Sequence, residues 1–357
     1  MLTYLASPHQ TDLFDMVAAQ SGTDIDVIYL HGVEHVRRWT TDSPRHNAIC
    51  LDREPERFVE ANKRLMAADV AVLNYYAEEP AQTLLQERAS SGKPWCYWGE
   101  RPGFRKPEWI GRIMRKRKLS SLHGSRAPIW GVGRFAVDAY KSEFGSQRNY
   151  SNVPYFTDLG RFVAAAPALK PPGAERVFLF AGSLIRRKGV DLLAGAFARL
   201  AAEFPGVRLK IIGEGELRGA LGRQLAPAGN RVEFLGFKDW KELPEHYPDA
   251  DILCAPSRYD GWGMVVPEGL ACGLPVVATD QMGAALEFIE PGRNGWMTKA
   301  GDGAALYEAL REAAVAPAGT LAEMSQRARE SVSNHTVANG AARFCAAARD
   351  VAENWRR

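Results

Sequence analysis

Two segments of this sequence combine residue types able to hold an anionic, hydroxyl-rich ligand. The first runs Ala181-Gly182-Ser183-Leu184-Ile185-Arg186-Arg187-Lys188-Gly189-Val190-Asp191, between a strand-like run at 177–180 and the start of a helical pattern. Small residues at Gly182 and Ser183 let backbone amides approach a phosphate, the following helix N-terminus carries partial positive charge, and three cations stand in succession. Taken alone, the same residues also describe an ordinary basic strand-to-helix loop. The second segment runs Ser257-Arg258-Tyr259-Asp260-Gly261-Trp262-Gly263-Met264-Val265-Val266-Pro267-Glu268-Gly269-Leu270-Ala271-Cys272-Gly273. Gly261 and Gly263 would expose amides toward an anion, and Pro267 near a helix start sacrifices no useful hydrogen bond. Carboxylates at Asp260 and Glu268 would repel a phosphate, yet they can only accept hydrogen bonds, and sugar hydroxyls are neutral donors. The expectation is one polyol on Asp260 and another on Glu268, on either side of a diphosphate.

Strands and helices must aim these loops. Short β-like runs alternate with amphipathic helical ones along the chain, the pattern of α/β domains with parallel sheets. In the first half, strands are expected at 2–6, 26–30, 48–51, 70–73, 94–97 and 129–131. The stretch from Ala164 to Glu175, rich in proline, alanine and glycine, reads as a linker. Beyond it the pattern restarts, with strands at 176–181, 207–212, 232–235, 252–255 and 275–279 and helices at 190–204, 216–225, 243–246 and 266–272. The last segment, 338–355, has helical spacing of Phe344, Ala348 and Val351. The expected organisation is two Rossmann-like, doubly wound α/β domains, 1–165 and 166–337, with a terminal helix in 338–357 that packs back on the first. Ligands of such open sheets bind beyond the carboxyl ends of strands, so two such domains would face each other across a ligand-binding cleft.

Bulk properties narrow the classes. A chain of 357 residues exceeds the usual span of one hydrophobic core, and 46% apolar with 24% charged residues is the composition of a folded globular protein. A net charge of +3 is too mild to demand a polyanionic partner, and no nucleic-acid reader motif accompanies the one basic run. Cys50, Cys96, Cys254, Cys272 and Cys345 are scattered, odd in number and never arranged as CxxC, which argues against a disulfide framework or zinc site and fits a reducing cytoplasm. Neither a signal-peptide pattern nor a membrane-spanning apolar run is present in the sequence. The acidic strings Asp24-Ile25-Asp26 and Asp249-Ala250-Asp251 stand where strands begin, the wrong end for a cleft, so they read as structural and no metal is expected.

Jointly, GSLIRRKG with its following helix, the spacing of Asp260 and Glu268, EGLACGLPVVATD and GAALEFIEPGRNGW resemble the retaining glycosyltransferases of family four, enzymes of the GT-B fold. The resemblance covers 176–296, whereas the first 165 residues match only in general pattern. It implies sugar transfer from a nucleoside-diphosphate donor, UDP or GDP, with retention of anomeric configuration and without an obligatory metal. By position it implies that Lys188 binds the diphosphate, with Arg187 as helper and Gly182 and Ser183 in the phosphate loop. Glu268 would hold ribose hydroxyls and Asp260 those of the donor sugar, while the amides of Gly261, Trp262, Gly263 and Met264 line sugar and phosphate. Lys188, Asp260 and Glu268 are thus the implied catalytic set, acting chiefly by stabilising the leaving group. Residues 233–237 would receive the nucleobase, although an ordinary strand end explains them equally well. The chain departs from the family at Asp260, where glutamate is usual, and at Ser183, where arginine is frequent, so Arg186 or Arg187 would supply one phosphate contact. The implied role is synthesis of bacterial surface polysaccharide or glycolipid on a glycan or lipid-linked acceptor.

In the first half, Glu100, Arg101 and His9 follow strands and are candidates to face the cleft, against readings as turn residues or a solvated histidine. From Phe104 to Lys118 the sequence sets Trp109, Ile110, Ile113 and Met114 on one helical face, with Arg112, Arg115, Lys116, Arg117 and Lys118 largely around it. That is the pattern of an interfacial membrane helix, each cation adding about 1 kcal/mol near an anionic leaflet. The alternative is a helix whose apolar face enters the domain core. Competing activities are an inactive nucleotide-sugar-binding or scaffold protein, a sugar-nucleotide epimerase, or a phosphorylase. No signature of proton-transfer residues or a cofactor lysine supports the last two, and a dehydrogenase lacks its G-x-G-x-x-G.

Overall fold

Continuous apolar runs make the strands, because a parallel sheet is covered on both faces. The computed structural model describes residues 1–20, 22–32, 43–103, 108–165 and 175–355. In the first part of the chain they form β1 (Leu2–Leu5), β2 (Asp26–His31), β3 (Asn47–Cys50), β4 (Ala71–Leu73), β5 (Trp95–Gly99), β6 (Ile129–Gly131) and β7 (Tyr150–Asn152), paired in the order β3-β2-β1-β4-β5-β6-β7. A second sheet holds β8 (Arg176–Ala181), β9 (Val207–Ile212), β10 (Val232–Gly236), β11 (Ile252–Ala255), β12 (Val276–Thr279) and β13 (Gly295–Thr298), in the order β10-β9-β8-β11-β12-β13. The pairs are parallel in both sheets. Strand order reverses beside β1 in one sheet and beside β8 in the other, the place where doubly wound sheets bind ligands. The strands β7 and β13 go unread in the sequence because each is a short edge strand, YSN or GWMT, with no apolar run.

Helices seal the faces through 3.6-residue periodicity. In the second sheet's unit, Val190–Glu203 buries Val190, Leu193, Ala194, Phe197, Leu200 and Ala201 along one stripe and packs on Gly303–Val315. In the first, the terminal helix Val337–Asn354 packs on Pro8–Ala18. Its Phe344 ring lies 6.0, 5.7 and 5.3 Å from those of Phe14, Trp98 and Trp130.

The chain divides into two units, Met1–Asp158 with the segment from His335 onward, and Leu159–Asn334. The first division precedes the sequence-based boundary at 165, because the short helix Gly160–Ala164 packs on Val265–Cys272 and Phe162 is buried with its ring 5.0 Å from that of Tyr247. Most of the linker expected at 164–175 lies outside the described residues. At the second division His335 already returns to the first unit, where Nε2 donates to the Tyr155 carbonyl at 2.9 Å and the ring stacks on Phe156.

Candidate donor site

The two motif loops leave the carboxyl ends of β8 and β11, neighbouring strands at the reversal of the second sheet. After β8 the chain passes Gly182 to a 3-10 turn, Arg186–Lys188, and reaches Gly189 with φ 70°. A side chain at Gly189 would be strained by that φ and would overlap the Pro256 carbonyl, so glycine is what lets the two loops touch. After β11 the chain runs through Gly263, φ 89°, into the helix Val265–Cys272, which carries Glu268 in its first turn.

The contact between the loops brings the predicted charges together. Lys188 Nζ donates to Asp260 Oδ2 at 2.5 Å, with both side chains largely buried. Arg187 lies 3.8 Å from the other Asp260 oxygen and donates to the Tyr259 carbonyl at 3.2 Å. Asp260 is fixed by its own backbone, which donates to Gln281 O at 3.0 Å and accepts from Gly283 N at 3.3 Å. Glu268 accepts from the buried Tyr247 hydroxyl at 3.1 Å. Desolvation pushes its carboxyl up to about 7, partly opposed by Tyr247, Arg161 and Lys188. Two cations, an aspartate and a protonatable glutamate therefore share one end of one sheet.

Other predicted residues take more modest places. Gly182 commits its amide to the Ile212 carbonyl at 3.0 Å, while Ser183 is exposed at the head of the loop. Gly261, Trp262 and Gly263 are buried and Met264 half-buried. The Trp262 ring packs edge-on against Phe288, 5.8 Å between centroids, and its carbonyl accepts from Ala284 N at 2.8 Å, so this side chain is a support for the turn. The segment 233–237 closes β10 at the sheet edge, where Gly236 accepts from Gly213 N at 2.8 Å and the Arg218 guanidinium covers Phe234.

Three contributors were missed by the sequence analysis. Arg258 donates to both oxygens of Asp191 at 2.6 and 2.9 Å and to the Arg186 carbonyl at 2.6 Å, and its backbone N–H reaches Arg187 O at 2.8 Å. Burial works to raise the Asp191 carboxyl, yet the Arg258 bonds hold it below its ordinary value. This cross-link fastens one loop to the other and so sets where Lys188 stands. Arg161, whose guanidinium lies 4.3 Å over the Trp240 ring, adds positive potential at Glu268. Gly213 and Gly215 let the loop after β9 close on the one after β8, for a side chain on either would strike the carbonyl of Gly182 or Leu184. Only this last feature left a signal, the Gly-Glu-Gly that follows a strand.

The first unit's candidates also sit at carboxyl ends of strands. His9 Nε2 is 3.3 Å from Ser7 Oγ, the Glu100 carbonyl accepts from Tyr140 at 2.7 Å, and the Arg101 guanidinium lies 4.1 Å over Phe135. In the acidic strings Asp26 pairs with Arg64 at 2.8 Å, Asp249 with Lys210 at 2.8 Å, and Asp251 accepts from Val177 N at 2.7 Å. Among the described residues no group of three or more His, Cys, Asp or Glu is placed to hold a metal ion.

Residues 175–314 match the family described as glycosyl transferases group 1. The segment so matched contains both loops and both carboxylates. A GDP-mannose-dependent monoacylated alpha-(1-6)-phosphatidylinositol monomannoside mannosyltransferase of Corynebacterium glutamicum is 29% identical over 48% of this chain and 51% of its own. A GDP-mannose-dependent alpha-(1-6)-phosphatidylinositol monomannoside mannosyltransferase of Mycolicibacterium smegmatis is 30% identical over 57% and 56%. The chain thus spans about half the length of these curated relatives. Among solved structures, sucrose-phosphate synthase of Thermosynechococcus elongatus matches 98% of this chain and 99% of its own at TM-score 0.74 and 21% identity. HepE of Anabaena, in complex with UDP and glucose, matches 97% of each chain at TM-score 0.71 and 16% identity. Likeness at that level gives the fold, which is GT-B: two Rossmann-like domains, each on a parallel sheet.

Proposed function

We infer that the protein is a retaining glycosyltransferase that moves a sugar from a UDP or GDP donor to a glycan or lipid-linked acceptor. The observation that carries this reading is the Lys188–Asp260 contact beside Glu268, formed by two loops inside the segment that matches group 1 glycosyltransferases. A donor would exchange that hydrogen bond for two, with the ammonium on a phosphate oxygen and the carboxylate accepting from a sugar hydroxyl. Lys188 and Arg187, with the amides of the 261–264 turn, then neutralise charge developing on the departing diphosphate. Glu268, on the next helix, accepts from the ribose hydroxyls. No step in this scheme calls for a metal. Lipid-linked acceptors suit the relatives whose names specify phosphatidylinositol mannosides, and the setting proposed is the cytoplasmic side of a bacterial membrane.

Calorimetric titration with UDP, GDP and NAD, repeated on Glu268→Ala, tests the reading. One nucleoside diphosphate should bind, and the variant should lose it. Binding of NAD alone would overturn the assignment, and nucleotide-sugar binding without hydrolysis or transfer to any acceptor would favour an inactive binding protein.

A further inference from the structure

The basic helix of the first unit, Glu108–Lys118, faces its apolar side away from the protein. At roughly 100° per residue, Trp109, Ile110, Ile113 and Met114 span an arc of roughly 140°, and Arg115 points roughly opposite its centre. The structure sets Arg115 inward: it is 6% exposed and bonded to Glu143 Oε2 at 2.6 Å, with Nε 3.1 and 3.2 Å from the two carboxylate oxygens. On the flanks Arg112 donates to Ser142 Oγ at 3.3 Å and Lys118 to the Ala77 carbonyl at 3.0 Å. Three tethers thus fix the rotation of the helix. As a result Trp109, Ile113 and Met114 are 66%, 52% and 45% exposed. Burial of the apolar face in the domain core, the alternative left open by the sequence, is therefore not what the chain does. Arg115 also leaves the set of surface cations to which its spacing had assigned it.

We propose that this face docks on an anionic lipid bilayer, with Trp109, Ile113 and Met114 entering the headgroup boundary and Lys116 and Arg117 meeting lipid phosphates. Charge selects this occupant. Lys116 is exposed at the edge of the apolar arc and Arg117 within it, one turn beyond Ile113, and no carboxylate occurs from Trp109 to Lys118. A symmetric contact with a second copy would set these cations against their own images. A nucleic acid would satisfy the cations but leave the apolar arc in water, whereas a bilayer interface takes tryptophan, aliphatic side chains and cations together. The helix belongs to the first unit and the donor loops to the second, so the proposal stands apart from the donor-site reading.

Flotation with vesicles of mixed phosphatidylglycerol and phosphatidylcholine, and of phosphatidylcholine alone, tests it. The protein should float with the mixed vesicles only. Lys116→Ala/Arg117→Ala should weaken that binding about thirtyfold, about fivefold per charge, and Trp109→Ala/Ile113→Ser should abolish it. Unchanged thermal midpoints and nucleotide titrations would show both variants folded. The proposal fails if the wild type does not float or if the Trp109→Ala/Ile113→Ser variant floats as well. It fails equally if, without flotation, the face captures an oligonucleotide through Lys116 and Arg117 or forms a dimer lost in Trp109→Ala/Ile113→Ser.

Discussion

Arg186-Arg187-Lys188 and Arg115-Lys116-Arg117-Lys118 look alike as runs of charge and are put to different uses. In the 3-10 turn the partners are individual and come from far along the chain: Asp260 for Lys188, the Tyr259 carbonyl for Arg187, and Arg258 on the carbonyl of Arg186. In the helix, successive residues swing by roughly 100°, so only about one in four can face the protein. Arg115 is that one, Lys118 reaches the Ala77 carbonyl from the flank, and Lys116 and Arg117 stay in solvent. A run of cations thus gains residue-level roles only where other segments supply partners, and otherwise acts through its summed charge.

The sharpest way to break this contrast lies within the helix. Arg115→Ala leaves the Glu143 carboxylate, 7% exposed, without its guanidinium, and should cost about 3–5 kcal/mol of stability. Lys116→Ala should fall within about 0.5 kcal/mol of the wild type. Urea midpoints of the two variants read the difference, and equal midpoints would mean that Arg115 is one surface charge among several. In the turn the expected split is functional. Lys188→Ala should lower turnover by about 10² to 10³. Arg187→Ala should do less, because its side chain is 48% exposed and stands farther from Asp260. Steady-state rates on the donor found by titration decide it, and comparable losses would show the two cations to be interchangeable.

How much of this was legible follows from range along the chain. The strands of both sheets apart from β7 and β13 stood out as apolar runs, and the loops of the candidate site as two local segments whose residue types suit phosphate and hydroxyl chemistry. What escaped depends on contacts between segments. Arg258 and Asp191 are 67 positions apart, Tyr247 and Glu268 are 21, and nothing local marks either pair. Periodicity gave the basic helix its apolar arc but could not say which way the arc turns. That was settled by Glu143, on a helix 28 positions beyond Arg115.

An effect smaller than that of Lys188→Ala is expected at a carboxyl rather than a cation, and it sharpens the claim that partners set roles. Desolvation raises Glu268 from an ordinary 4.5 to about 7. A raised folded value means that its contribution to stability is fully present below about 4.5 and is lost as pH climbs through 7. Accepting two hydroxyls requires the ionised form, so ligand affinity should run the opposite way. Nucleotide binding should therefore strengthen by up to about tenfold between pH 6 and 8, since about a tenth of such a carboxyl is ionised one unit below its pKa. Glu268→Gln removes the titration but leaves the phosphates of the nucleotide, whose own ionisation crosses the same range. Subtracting its calorimetric pH profile from that of the wild type isolates the carboxyl. A difference that stays flat from pH 6 to 8 would mean that Glu268 does not hold the ribose through its carboxylate. A difference that rises with pH would tie the partial desolvation of this one side chain, hydrogen-bonded to Tyr247 and under the positive potential of Arg161, to recognition of the nucleotide.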